Sequence, residues 1–191
     1  MYASNCLSSY KLKILILGST NSGKHLLCRK YGQGFSQEFE KSIGIDIFVQ
    51  DFTRPDGESI SYACWICSPY KRFEYYWPRF FRGAMGALIL FDVTDRKSYE
   101  EAKEFVAKIH KNVNYIPILL LGNKIDLESN RKVSYNEAFD FTREQRLTAY
   151  KEISIKQDLN VSESLEILNK AIYFYSTSEK SKSDPSEVQI I

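Results

Sequence analysis

Unbroken apolar runs alternate with segments whose apolar residues recur at helical spacing along most of this chain. Ala87 to Phe91 and Ile116 to Leu121 are short apolar runs of the kind that buried parallel strands need, since both faces of such a strand are covered, and Lys11 to Leu17 is a strand-like run. Ile45 to Thr53 and Ser59 to Ile66 read as a hairpin pair closed by the turn residues Pro55, Asp56 and Gly57. Tyr99, Ala102, Phe105, Val106 and Ile109 fall on one face of a helix between two of the runs. Leu165, Leu168, Ile172 and Tyr175 mark a last helix, with Asn160 as its expected N-cap and Glu163 three residues on. Strands alternating with helices predict an α/β fold, a parallel sheet covered on both faces. From Ser176 onward the chain is rich in Ser, Lys and Glu, so residues 176–191 are expected to be a disordered tail. Residues 11–175 then form one domain, preceded by a short extension over residues 1–10.

Composition narrows the class. With 191 residues and 43% hydrophobic content, a single well-formed core is expected. A net charge of +2 gives no electrostatic argument for nucleic acid or for an acidic membrane surface. Four cysteines without a signal peptide read as reduced thiols in a cytoplasmic protein. Cys64 and Cys67 have the C-x-x-C spacing of zinc and redox sites, but they straddle a strand end and no second pair exists, so they read as isolated thiols.

The chemistry begins where the first apolar run meets Gly18, Ser19, Thr20, Asn21, Ser22, Gly23 and Lys24. This is a phosphate-binding loop. Its glycines let successive backbone N–H groups wrap a pyrophosphate at a helix N-terminus, and the lysine neutralises the outer phosphates. The next position usually carries a hydroxyl that holds Mg²⁺; here it is His25, an imidazole where a hard ion wants oxygen. A second motif, Asn123-Lys124-Ile125-Asp126, follows another buried run about a hundred residues later.

With both motifs in order, the chain resembles the Ras-like small GTPases, and the Rab branch in particular. Lys41 to Asp46, Arg82-Gly83-Ala84 and Phe91 to Asp95 are similar to Rab phrases, and the resemblance runs from Lys11 to about Tyr175. It implies a three-layer P-loop NTPase fold with a mostly parallel six-stranded sheet, and GTP or GDP as the ligand. In the family, the carboxylate at the position of Asp126 accepts two hydrogen bonds from guanine, which adenine cannot donate. Asn123 and Lys124 would brace the base and the loop. Glu152 to Lys156 is similar to the family's E-T-S-A-K, which places Ser154, Ile155 and Lys156 beside the guanine carbonyl, and Phe35 is placed to pack on the base. Ser42 stands for the switch threonine that touches Mg²⁺ and phosphate, which makes it the one candidate metal ligand.

The hydrolytic positions depart from the family. Its second switch begins W-D-T-A-G-Q-E-R-F, and Trp65 to Phe73 is the ungapped equivalent. Ile66 replaces the aspartate that organises the metal's waters. Pro69 replaces a glycine whose N–H bonds the γ-phosphate, and proline has no N–H. Tyr70 replaces the glutamine that orients the attacking water, so no catalytic residue is assigned. The resemblance thus implies a guanine-nucleotide-binding module with weakened Mg²⁺ use and very slow or absent hydrolysis, acting in vesicle-traffic-like signalling. Two rivals stand: a working GTPase whose partner supplies catalytic groups, and a nucleotide-free scaffold. Effector or regulator proteins are expected on the segments around Ser42 and from Tyr70 to Phe81. In the second of these, Phe80 and Phe81 should pack inward with Trp65. Tyr70, Tyr75, Tyr76 and Trp77 are the expected partner surface, because Pro78 interrupts a regular helix there. No cysteine follows Cys67, so the prenyl anchor of the family is not expected and membrane recruitment is left to partners.

Overall fold

The computed structural model describes residues 11–31, 33–35, 44–53, 57 and 59–183. The strands are β1 (Lys11–Gly18), β2 (Gln33–Phe35), β3 (Ile45–Thr53), β4 (Ser59–Cys67), β5 (Ala84–Asp92), β6 (Ile118–Asn123) and β7 (Ala149–Ile153). The helices are α1 (Lys24–Tyr31), α2 (Trp77–Phe81), α3 (Arg96–Asn112), α4 (Tyr135–Glu144) and α5 (Val161–Ser183). The sheet runs in the order β2-β3-β4-β1-β5-β6-β7, parallel from β4 through β7 and antiparallel on the β2–β3–β4 side. The six-stranded parallel-dominated sheet is therefore present, and the short β2 adds a seventh strand at its edge. Three residues containing a glycine carry no periodicity, which is why the pattern did not announce β2.

Two apolar layers flank the sheet. One contains Leu15, Leu17, Ala87, Ile89 and Phe91 against Tyr99, Ala102, Phe105, Val106 and Ile109 of α3. The other sets Ile14, Ile16, Leu88 and Leu90 against Leu27, Leu165, Leu168 and Ile172. Alternate residues of β1 and β5 go to opposite layers, which is what continuous apolar runs achieve in a sheet covered on both faces.

The last helix differs from expectation at both ends. Asn160 has a left-handed backbone, φ 58°, and its side-chain amide donates to the carbonyl of Glu152. That is not the extended geometry of an N-cap. At the other end α5 continues past Ser176 to Ser183 rather than giving way to a disordered tail there. Tyr175 packs its ring against Tyr115, and the hydroxyls of Ser176 and Thr177 donate to the Tyr173 carbonyl without interrupting the helix. Residues 184–191 lie outside the described residues.

The C-terminal ends of β1, β4, β5 and β6 all point to one edge of the sheet, where β1 delivers Gly18 and β6 delivers Asn123. In open α/β sheets this edge is where ligands bind.

Candidate functional site

The phosphate loop leaves β1 at Gly18 and enters α1 at Lys24. Gly18 has φ 144°, and a Cβ there would lie 2.2 Å from the Leu90 carbonyl oxygen, so only glycine lets the loop pass β5. Gly23 has φ 103°, and its missing Cβ makes way for the Asn123 amide. The Lys24 ammonium is buried, donating to the carbonyls of Gly18 at 2.8 Å and Ser19 at 2.5 Å, which pins the side chain across its own loop. Ser22 closes the loop from inside, its hydroxyl donating to the Ser19 carbonyl, while Ser19 meets Ser98 of α3 at 2.8 Å. Thr20 and Asn21 are exposed at the crest of the loop.

The base motifs meet this loop through Asn123. Its Nδ2 donates to the Ser22 carbonyl at 2.9 Å, and its Oδ1 accepts from the Ile155 N–H at 3.2 Å. One buried side chain thereby joins three loops that are far apart in sequence. The Ser154 hydroxyl donates to Asp126 Oδ1 at 2.6 Å and accepts from Gln157 N–H, which orients the half-buried Asp126 carboxylate. Ile155 finds room where the family has alanine: its side chain is buried among Leu27, Cys28 and Ile153, beneath Gly23. Lys124 adopts φ 72° and pairs with Asp92 at 2.5 Å, while Thr94 donates twice to the same carboxylate. Burial pushes the Asp92 carboxyl up, but the Lys124 ammonium and the Thr94 bonds outweigh it and hold the group below the usual carboxylate range. Lys156 is exposed. Ser42 and the side chain of Phe35 lie outside the described residues, so the metal candidate and the base-packing candidate are not placed.

The phosphate side is built differently. His25 Nε2 lies 3.0 Å from Asp46 Oδ2, and the Asp46 side chain is buried. Asp46 on β3 stands opposite Ile66 on β4 in the sheet register. Ile66, at the position of the lost aspartate, is packed into the layer formed with α1 and α5. Magnesium takes an octahedron of oxygens. An imidazole already bonded to a carboxylate, beside an apolar isoleucine, does not match that donor set. The sequence reading missed Asp46; the signal was a lone carboxylate inside the apolar stretch Ile45 to Phe48.

Downstream, Lys71–Tyr76 forms a 3-10 turn that leads into α2. Phe81 is buried and Phe80 and Trp65 pack partly against the same layer, as expected. Trp77 is the correction: it is only 3% exposed, stacks on Phe81 and packs at a tilt against Phe105, with the Lys108 ammonium 4.4 Å from its ring centroid. Pro78 does not interrupt a helix but starts one, in the first turn where no N–H is needed. Tyr70, Tyr75 and Tyr76 remain exposed, Tyr75 at 78%. A groove of about 820 Å³ opens beside Tyr70, lined by Tyr70, Lys71, Glu74, Trp77 and Lys108.

The thiols are structural. Cys64 and Cys67 fall in opposite layers of the sheet, and burial pushes both up to about 12, so neither supplies a reactive thiolate. Among the described residues no cluster of three or more His, Cys, Asp or Glu side chains suits a metal ion, and no helix is long and apolar enough to cross a membrane.

Comparison with known proteins agrees with this geometry. The Ras family model matches residues 13–174. Ras-related protein Rab-13 of Rattus norvegicus is 31% identical over 182 residues, covering 93% of this chain and 89% of the relative. Ras-related protein Rab-39A of Mus musculus is 31% identical over 171 residues, covering 86% and 78%. GTP-binding protein ypt2 of Schizosaccharomyces pombe is 32% identical over 166 residues, covering 85% and 82%. Proteins of this kind bind GTP and GDP with Mg²⁺ and engage effectors and regulators. By its sheet order, its phosphate and base loops and these relatives, the chain belongs to the Ras family of small GTPases, on its Rab branch.

Proposed function

We propose that this chain is an atypical Rab-like module that binds guanine nucleotide with weakened dependence on Mg²⁺ and hydrolyses GTP very slowly or not at all. One contrast within the site carries the reading. The base half is wired through Asn123, Asp126 and Ser154, whereas the phosphate half has His25 tied to Asp46, Ile66 in the core, and Pro69 and Tyr70 after β4. Hydrolysis in this fold relies on metal, water and N–H donors acting as a unit, so losing several of them together removes the rate gain rather than trimming it. Binding does not share that fate, because the base contacts and Lys24 are independent of the attacking water.

Such a module works through partners. The exposed Tyr70, Tyr75 and Tyr76, with the groove beside Tyr70, favour a protein interface, since aromatics at that density outside a core are characteristic of recognition surfaces. The segment around Ser42 is assigned to the same partners. The protein works in the cytoplasm, and partners bring it to membranes.

The test is direct. Purified protein is denatured and its released nucleotide identified, then single-turnover GTP hydrolysis is timed with and without Mg²⁺. Guanine nucleotide with negligible turnover is expected. Stoichiometric absence of nucleotide would favour the scaffold reading, and metal-dependent turnover restored by a partner extract would favour the working GTPase.

A further inference from the structure

The hydroxyl of Ser68 is buried, with 1% of the residue exposed, and it has no hydrogen-bond partner among the described residues. Buried hydroxyls of native proteins are nearly always paired, so an orphan calls for a reason. Alanine would fill the same space without leaving an oxygen stranded.

Its position supplies the reason. β4 ends at Cys67, but the ladder with β3 continues one step further: Ser68 N–H donates to the Gly44 carbonyl at 2.8 Å. Because the ladder continues, so does the alternation of side chains. Cys67 falls in the α3 layer, Ile66 in the α1 layer, and Ser68 returns to the face of Ile66. Asp46, opposite Ile66, shares that face and meets His25 at the start of α1. In the parallel register of β1 with β4, Ile16 stands beside Ile66, so two further steps bring Ser68 level with Gly18, where the phosphate loop begins. The next residue is Pro69, which cannot donate a backbone hydrogen bond.

We propose that the Ser68 hydroxyl donates to the terminal phosphate of a bound guanosine triphosphate, taking over the contact that Pro69 has lost. The assignment rests on the guanine-nucleotide reading above. It makes Ser68 a specificity residue for triphosphate over diphosphate, and it reads the phosphate from the strand end without recruiting the segment after Pro69.

The experiment compares the full chain with Ser68→Ala, measuring the affinity of each for fluorescent GDP and for a fluorescent non-hydrolysable GTP analogue. A hydrogen bond to a charged group is worth about tenfold or more, so the analogue should bind roughly tenfold more weakly to the variant while GDP stays within about twofold. Retained GDP binding also reports that the variant is folded. As a second readout, the ³¹P resonance of the bound analogue's γ-phosphate should move in the variant while the α and β resonances stay in place. Equal losses for both nucleotides, or no loss for either, would overturn the assignment while leaving nucleotide binding standing. If the wild type binds no GDP at all, the nucleotide reading falls, and this assignment with it.

Discussion

Replacing Asn123 with alanine tests whether one amide holds the nucleotide site together before any ligand arrives. The side chain is buried and makes two hydrogen bonds, to the Ser22 carbonyl and from the Ile155 N–H. Both partners belong to buried residues, so truncation leaves an orphaned acceptor and an orphaned donor with little water to replace them. At about 1–3 kcal/mol for each of the two stranded groups, the expected loss is about 2–6 kcal/mol of folding stability. Asn123→Asp keeps an acceptor for Ile155 N–H but turns a buried carboxylate oxygen toward the Ser22 carbonyl, so it should cost no less than the alanine variant. Urea unfolding with a constant m-value is the assay, run without nucleotide and again with excess GDP. Ligand adds stability in proportion to the logarithm of its concentration over its dissociation constant, so a variant that also binds worse gains less from GDP than the wild type does. A loss under about 1 kcal/mol for Asn123→Ala, with equal gains from GDP, would mean that the three loops stand independently and that the bridging argument is wrong.

Further outcomes follow from the same geometry. Trp77→Ala should cost about 3–5 kcal/mol by emptying a core position, whereas Tyr75→Ala should leave thermal stability nearly unchanged and weaken partner binding; the reverse ranking in a melting assay would contradict their burial. GDP affinity should change little between excess Mg²⁺ and excess chelator, and a loss of about a hundredfold on chelation, or about 2.8 kcal/mol, would mean that an intact metal site exists. Hydrogen exchange from Tyr70 to Pro78 should be the same in GDP and GTP-analogue complexes, with any response confined to the neighbourhoods of Ser42 and Ser68; strong analogue-induced protection over Tyr70 to Trp77 would refute this. The Asp92 carboxyl lies below its unfolded value, so its contribution is present at neutral pH and is lost as pH falls through about 4 and below. Urea midpoints measured down that range should drop less steeply for Asp92→Asn than for the wild type.

Much of this architecture was legible because its signals are local. Buried parallel strands need continuous apolar runs, and the runs at Lys11, Ala87 and Ile116 each became one. The α3 face was legible from spacing, and the base motif from residue types whose hydrogen bonds guanine demands. What stayed hidden depends on tertiary neighbours. His25 and Asp46 are 21 residues apart and meet only because β3 lies beside β4 at the head of α1. Trp77 looked exposed because seven aromatics crowd the stretch from Tyr70 to Phe81, and spacing alone does not say which of them α3 will cover. The length of α5 was hidden for a related reason: Tyr175 is braced by Tyr115, a neighbour far off in sequence that the composition after Ser176 does not reveal.

The position of the second switch segment does not need a phosphate to explain it. Phe73 is buried at the start of the segment and Trp77 at its end, so the exposed tyrosines between and before them are carried on two core anchors. Phe73 packs so closely on Gly44 that a Cβ there would lie 2.4 Å from its ring, and Ser68 N–H is bonded to the same glycine. Gly44, just before β3, is thus clipped to the segment from Ser68 to Phe73 by side-chain packing and a backbone bond. A ligand moves a conformational equilibrium only by contacting its two states differently. With Pro69 unable to donate and the segment already anchored by Phe73 and Trp77, bound triphosphate and diphosphate have little differential contact through which to move Tyr70, Tyr75 and Tyr76. The aromatic surface is therefore expected to be available in both nucleotide states, and the nucleotide to act on this protein as a structural ligand more than as a signal.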